Sequence, residues 1–147
     1  MTIDERVVQA IERLMVETVG ITTIALSQAS PDVELSFAQW RALVVVGSRE
    51  AGTRVGEIAA RIGSAVPTTS RLVRRMERRG LVVAERDEAD RRATLVVFTP
   101  AGRRVHDALV GRRRDFVRAA LEQAPEPLAT SLLQGLEQIG EALSNYE

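Results

Sequence analysis

Near the start of the chain, Ile3, Val7, Ile11, Leu14 and Met15 recur at helical spacing and predict a helix from about Asp4 to Ser27. Ser30-Pro31-Asp32 breaks it. Ser36 is a good N-cap for a second helix, Phe37 to Ser48, with Trp40, Leu43 and Val44 on one side. Glu50-Ala51-Gly52 ends that segment. Val55, Ile58, Ala59 and Ile62 mark a short third helix, stopped by Gly63. A fourth, Val66 to Arg79, is capped by Ser64 or Ala65, carries Pro67 in its first turn and ends at Gly80. The period then changes. Leu81–Arg86 and Thr94–Phe98 read as two strands around the charged turn Asp87–Arg92. Thr99 followed by Pro100 opens a long helix to about Gln123. Pro125 and Pro127 interrupt it, and a last helix runs from about Leu128 to Ser144.

Two short helices joined at a glycine, then a hairpin, is the order of a winged helix-turn-helix. The expected fold is mainly α, six helices with a small β-hairpin wing. In this motif the second helix of the pair enters the major groove of DNA. Stepping about 100° per residue from Thr68, the positions Leu72, Met76 and Val73 fall at about 40°, 80° and 140°. Pro67, Ser70, Arg71, Arg74 and Arg78 fall between about 200° and 300°, with Arg75 near 340°. The apolar stripe and an almost purely cationic face are thus opposed, and only Glu77 mixes the sign. A solvated face ordinarily mixes signs, so the segregation favours a polyanion partner over solvent alone. Thr68, Thr69 and Ser70 occupy the N-terminal turns, the part of such a helix that reaches base edges.

Charge places the same segment apart. The formal balance is zero, and all twenty basic residues are Arg. Residues 54–83 hold 7 Arg against 2 acids, whereas residues 1–53 hold 4 against 7. Arg brings a planar five-donor fork suited to phosphates and base edges. The tip Asp90-Arg91-Arg92 is a second candidate contact. Such a tip is ordinarily solvated, but an Asp two residues before an Arg can hold its guanidinium extended, which suits a narrow minor groove.

The remaining composition mostly excludes. With no cysteine, a disulfide framework, a Cys-based zinc site and a thiol redox sensor are out. The longest uncharged stretch, Thr18 to Pro31, is too short and polar to span a bilayer, and the acidic start MTIDER carries no signal-peptide pattern, so the expected location is cytoplasmic, with no membrane partner. The lone His106 has no nucleophile or ligand set converging on it, so neither enzyme chemistry, a metal nor a cofactor is expected.

The runs Ile58-Ala59-Ala60-Arg61-Ile62-Gly63, Thr69-Ser70-Arg71-Leu72-Val73-Arg74-Arg75-Met76-Glu77-Arg78-Arg79-Gly80-Leu81-Val82, Asp90-Arg91-Arg92 and Phe98-Thr99-Pro100-Ala101-Gly102 resemble the MarR family of bacterial transcriptional regulators. Leu35-Ser36-Phe37-Ala38-Gln39-Trp40-Arg41-Ala42-Leu43 fits the second helix of that family. The resemblance spans essentially the whole chain. It implies a homodimer with interleaved terminal helices, a pseudo-palindromic operator in double-stranded DNA, repression, and release by a small aromatic or anionic effector. It implies one MarR-type unit over residues 1–147, with a DNA-binding part at 36–99 and dimerisation helices at 1–30 and 116–147. The DNA-contacting set is then Pro67, Thr68, Thr69, Ser70, Arg71, Arg74, Arg75, Arg78, Asp90, Arg91 and Arg92. Three positions depart from the family: Ala65-Val66 stand where many relatives carry Ser-Arg, and Arg74 where an Asp is common.

Dimerisation also has support in the pattern itself. Leu128, Leu132, Leu136, Ile139 and Leu143 form one stripe at spacings of four and three, and Ile11 lies in the matching N-terminal stripe. So small a winged module leaves little core for both stripes to cover. Trp40 and His106 are candidates to line an effector pocket, against the simpler reading of helix packing for Trp40 and a surface position for His106. Two rival functions stand beside regulation: a winged-helix protein-interaction module, and a sequence-independent architectural DNA-binder.

Overall fold

The computed structural model describes residues 4–29, 34–88, 90–123 and 129–145. The elements are α1 (Glu5–Ala29), α2 (Phe37–Gly47), β1 (Thr53–Arg54), α3 (Val55–Ile62), α4 (Val66–Arg78), β2 (Val82–Arg86), β3 (Thr94–Phe98), α5 (Pro100–Glu122) and α6 (Ala129–Ser144). All six expected helices and both wing strands are present, with ends within two residues of the predicted ones. The chain falls into two compact units, divided between Arg114 and Asp115 inside α5. No described helix is long and apolar enough to cross a membrane.

The wing needs one correction. It is not a hairpin alone but a three-stranded antiparallel sheet in the order β1-β3-β2. Thr53 pairs with Val96 and Arg54 with Leu95 along β1, while Val82 to Arg86 pair with Phe98 to Thr94 along β2. A two-residue strand is too short to show alternation, so the pattern could not announce it.

Local signals fix the helix ends. Ser36 accepts from the Gln39 backbone N–H at 3.3 Å, and the Gln39 side chain accepts from the Ser36 N–H at 2.9 Å, a reciprocal cap that starts α2. Gly63 ends α3 with φ 66° and ψ 42°, a left-handed conformation that only glycine adopts without strain. α5 is set against the α4–β2 turn by Thr99. Its hydroxyl donates to the Gly80 carbonyl at 2.6 Å and accepts from the Gly102 N–H at 2.9 Å. A Cβ on Gly102 would collide with the Leu81 carbonyl oxygen and lie 2.7 Å from its carbon. The Thr-x-x-Gly segment is therefore a docking device, with the glycine admitting the backbone of the turn.

One core gathers Ala42, Leu43, Val45 and Val46 of α2, Val55 and Ile58 of α3, Leu72, Val73 and Met76 of α4, Leu81, and Val82 and Val96 of the sheet. Each fully buried Leu, Ile or Met contributes about 1.5–3 kcal/mol. This core clamps α3 and α4 to the sheet and presents the outer face of α4 on a rigid base.

Candidate nucleic-acid interface

α4 is held through Thr69, Leu72, Val73 and Met76, all buried. Its opposite face carries Pro67, Thr68, Arg71, Arg74, Arg75 and Arg78, all exposed, with Ser70 half-buried between the two faces. Arg71, Arg74, Arg75 and Arg78 line one open groove with Glu77. Among the described residues none of these four guanidinium groups has an ion-pair partner, so the face presents four unneutralised positive charges. The N-cap position of α4 is Ala65, which has no side chain able to cap, and Pro67 lies in the first turn. Backbone N–H groups at such a start remain available to an anion.

One basic-face expectation changes. Thr69 is 0% exposed, so its side chain cannot reach a base. Its angle of about 100° from Thr68 falls between Met76 and Val73, inside the apolar stripe. Glu77, the one acid beside these Arg, also has a structural role: its Oε1 accepts from the Ala84 N–H at 2.9 Å, occupying an outward-facing donor on edge strand β2. Arg79, at the end of α4, donates to Gln39 Oε1 at 3.3 Å and ties the helix to the start of α2.

The wing tip is built by its own backbone. Asp87 N–H donates to the Ala93 carbonyl at 3.1 Å, and Ala93 N–H to the Asp90 carbonyl at 2.8 Å. Asp90 Oδ1 accepts from the backbone N–H of Arg92 at 3.1 Å. This corrects the expected pairing. Asp90 holds the main chain of Arg92, not its guanidinium, because the tight turn brings the amide round to the carboxylate. Arg91 and Arg92 are exposed and, among the described residues, their guanidinium groups have no partner. The second carboxylate oxygen of Asp90 faces Arg54 Nη1 at 3.8 Å.

Trp40 and His106 are not brought together. His106 is only 15% exposed, not a surface residue, and lies over Gly47, where a Cβ would come 2.6 Å from its Nε2. Its ring also meets Phe98 at 5.2 Å between centroids, and Nδ1 lies 2.9 Å from Asp107 Oδ1. Trp40 meets Phe37 at 5.3 Å, with the Arg113 guanidinium 5.8 Å from its ring centre. Seven residues separate Trp40 from Gly47, about 10 Å along the helix. His106 and Arg113 are likewise seven apart, so the two pairs mark two levels of one face between α2 and α5. No cluster of potential metal ligands occurs among the described residues.

Of the dimerisation candidates, Leu132, Leu136 and Leu143 are exposed and Ile11 and Ile139 half-buried. Leu128 lies outside the described residues.

Residues 34–93 match the family described as MarR family. The chain is 25% identical over 114 residues to an uncharacterized HTH-type transcriptional regulator, YfiV, of Bacillus subtilis, covering 77% of this chain and 70% of that protein. Its fold is similar to that of Streptococcus pneumoniae FabT, solved in complex with DNA, with TM-score 0.77 at 17% identity over 97% of this chain and 99% of FabT. It is similar also to CouR of Rhodococcus jostii, solved bound to p-coumaroyl-CoA, with TM-score 0.67 at 26% identity over 88% of each chain.

Proposed function

The chain belongs to the MarR family of winged helix-turn-helix transcriptional regulators, and from that premise we propose that it is a sequence-specific repressor that binds a pseudo-palindromic operator as a homodimer. The observation that carries the reading is the exposed α4 face, with Arg71, Arg74, Arg75 and Arg78 unneutralised and backed by a rigid core. A row of planar donors on a helix that fits the major groove supports reading of base edges, with guanine the preferred partner of a bidentate Arg. Arg91 and Arg92 at the wing add contacts in the flanking minor groove. FabT, a protein of the same fold, is solved with DNA, which is consistent with this use of the fold.

Two copies are needed to read a palindrome, and the apolar faces support pairing. Val7, Leu14, Met15, Val16, Val19 and Ile24 of α1 are each about half exposed or more, as are Leu133, Leu136 and Leu143 of α6. Apolar side chains exposed in this number on single helices mark surfaces that a partner covers. Recognition helices of such a dimer meet major grooves roughly 34–36 Å apart.

Release by a small aromatic or anionic effector is the regulatory part of the proposal. Its support is the α2–α5 face, where Arg113 sits beside the half-buried Trp40 ring, an arrangement that suits an aromatic anion. CouR, of similar fold, binds an aromatic acyl-CoA. Trp40 is the only tryptophan, so its fluorescence reports occupancy directly.

The function is tested by titrating the DNA flanking its own gene against random DNA of equal length. Preference for the native fragment of a hundredfold or more supports specific regulation. Equal binding indicates an architectural protein, and no binding at low salt indicates an interaction module.

A further inference from the structure

The first residue of the α3 turn breaks a local rule. Arg54 is the N-cap of α3, with extended dihedrals of φ −68° and ψ 142°, yet it makes no side-chain cap bond. Ser, Thr, Asp and Asn are favoured there because a short oxygen satisfies a free N–H of the first turn. Arg has no acceptor to offer. Its guanidinium goes elsewhere: Nε donates to Asp87 Oδ2 at 2.9 Å and Nη2 lies 2.7 Å from the same oxygen. Nη1 faces Asp90 Oδ2 at 3.8 Å. Asp87 and Asp90 are the two acids whose backbones close the wing turn, and Asp90 also holds the Arg92 amide. A residue 33 positions before Asp87 in sequence thus binds the carboxylate at the start of the tip and faces a second one in its middle, on the turn that carries Arg91 and Arg92.

We propose that Arg54 is a positioning residue for DNA binding, a clamp from β1 that sets the wing turn so that Arg92 is aimed before DNA arrives. The proposal rests on the DNA-contact reading of the wing. The clamp works by geometry. The planar fork fixes Asp87, and the short β1 ladder, Arg54 opposite Leu95, fixes the fork against the strand that leaves the turn. Holding the tip removes part of the ordering cost that binding would otherwise carry. Arg54 is half exposed and its pairing contributes little to global stability, so its loss is visible in binding while the fold persists.

The test measures affinity for the native upstream fragment by fluorescence anisotropy over a series of salt concentrations. The proteins are wild type, Arg54→Ala, Arg54→Lys, Arg92→Ala and Arg54→Ala combined with Arg92→Ala, each checked for an unchanged melting curve. Arg54→Ala is expected to weaken binding about two- to tenfold, the ordering cost of one or a few side chains. Its salt slope stays that of wild type, because Arg54 itself touches no phosphate. In the Arg92→Ala background the same change costs nothing further. Arg54→Lys, which keeps the charge and loses the fork, behaves like Arg54→Ala. A slope lowered by about 0.9 makes Arg54 a direct phosphate contact and overturns the proposal. Additive losses, wild-type affinity in Arg54→Ala, or full rescue by Lys also overturn it. If Arg92→Ala alone leaves affinity unchanged, the wing reading itself fails, and the clamp with it.

Discussion

Thr69→Val is expected to stabilise the protein and leave DNA binding untouched. Thr69 is 0% exposed, and its Oγ1 is buried with no hydrogen-bond partner among the described residues. Leaving a hydroxyl buried and unpaired costs about 1–3 kcal/mol. Val keeps the branched shape and puts a methyl where the hydroxyl was, among Leu72, Val73 and Met76 of the same helix. Thr and Val have similar helix propensities, so the backbone term nearly cancels. The net gain is about 1–2 kcal/mol, which for a chain of this size raises the melting temperature by about 2–8 °C. Thermal unfolding of both proteins at one protomer concentration measures it, since the proposed dimer would melt in a concentration-dependent way. DNA affinity should match wild type within twofold, because the side chain lies on the inner face of α4. A loss of stability of about 1 kcal/mol would show that the hydroxyl finds a partner in solution. A loss of DNA affinity at unchanged stability would refute the assignment of Thr69 to the core.

Other substitutions address the docking of α5, the wing and the proposed dimer. Gly102→Ala drives a methyl into the Leu81 carbonyl, which also accepts the Thr99 N–H at 3.1 Å, and should cost about 1–3 kcal/mol or more in denaturant unfolding. A cost below about 1 kcal/mol would mean the turn yields freely. Asp90→Ala frees the Arg92 amide and removes the second acid facing Arg54, so operator affinity should fall although a negative charge is lost. Tighter binding in an anisotropy titration would reduce Asp90 to a repulsive surface charge. Leu136→Asp places a charge on a side chain that is half exposed in the single chain. If a second copy covers it, the unpaired charge costs several kcal/mol and light scattering shows monomer or aggregate; an intact dimer would move the interface elsewhere.

Legibility followed the length of the pattern. The thirteen residues of α4 carry more than three turns of period, so the opposed apolar and cationic faces could be read directly; the place of Thr69 in the N-terminal turns set it among the expected contacts, against the inward direction that its angle gives. Caps at Ser36, Gly63 and Thr99 are local chemistry and were readable for the same reason. β1 was not, because two residues carry no alternation. The role of Arg54 was hidden by distance: nothing in a local window links it to Asp87. The Asp90–Arg92 spacing announced an interaction but not its kind, since only the turn geometry decides between amide and guanidinium. The glycine at position 102 was visible as part of a motif, and its reason appeared only with the Leu81 carbonyl beside it. For Trp40 and His106, helix periodicity could not say that they sit at separate levels of the α2–α5 face.

The central claim is that the outer face of α4 reads DNA, and binding of the native upstream fragment by Arg71→Ala and Arg74→Ala tests it most directly. Both residues are exposed and neither has an ion pair among the described residues, so truncation should leave the melting temperature unchanged. Each should weaken specific binding by about 1–3 kcal/mol, or roughly 5- to 150-fold, while binding to random DNA falls much less, so the ratio between the two narrows. Unchanged affinity and unchanged discrimination in both variants, across the salt series, would contradict the assignment of this helix as the reading element.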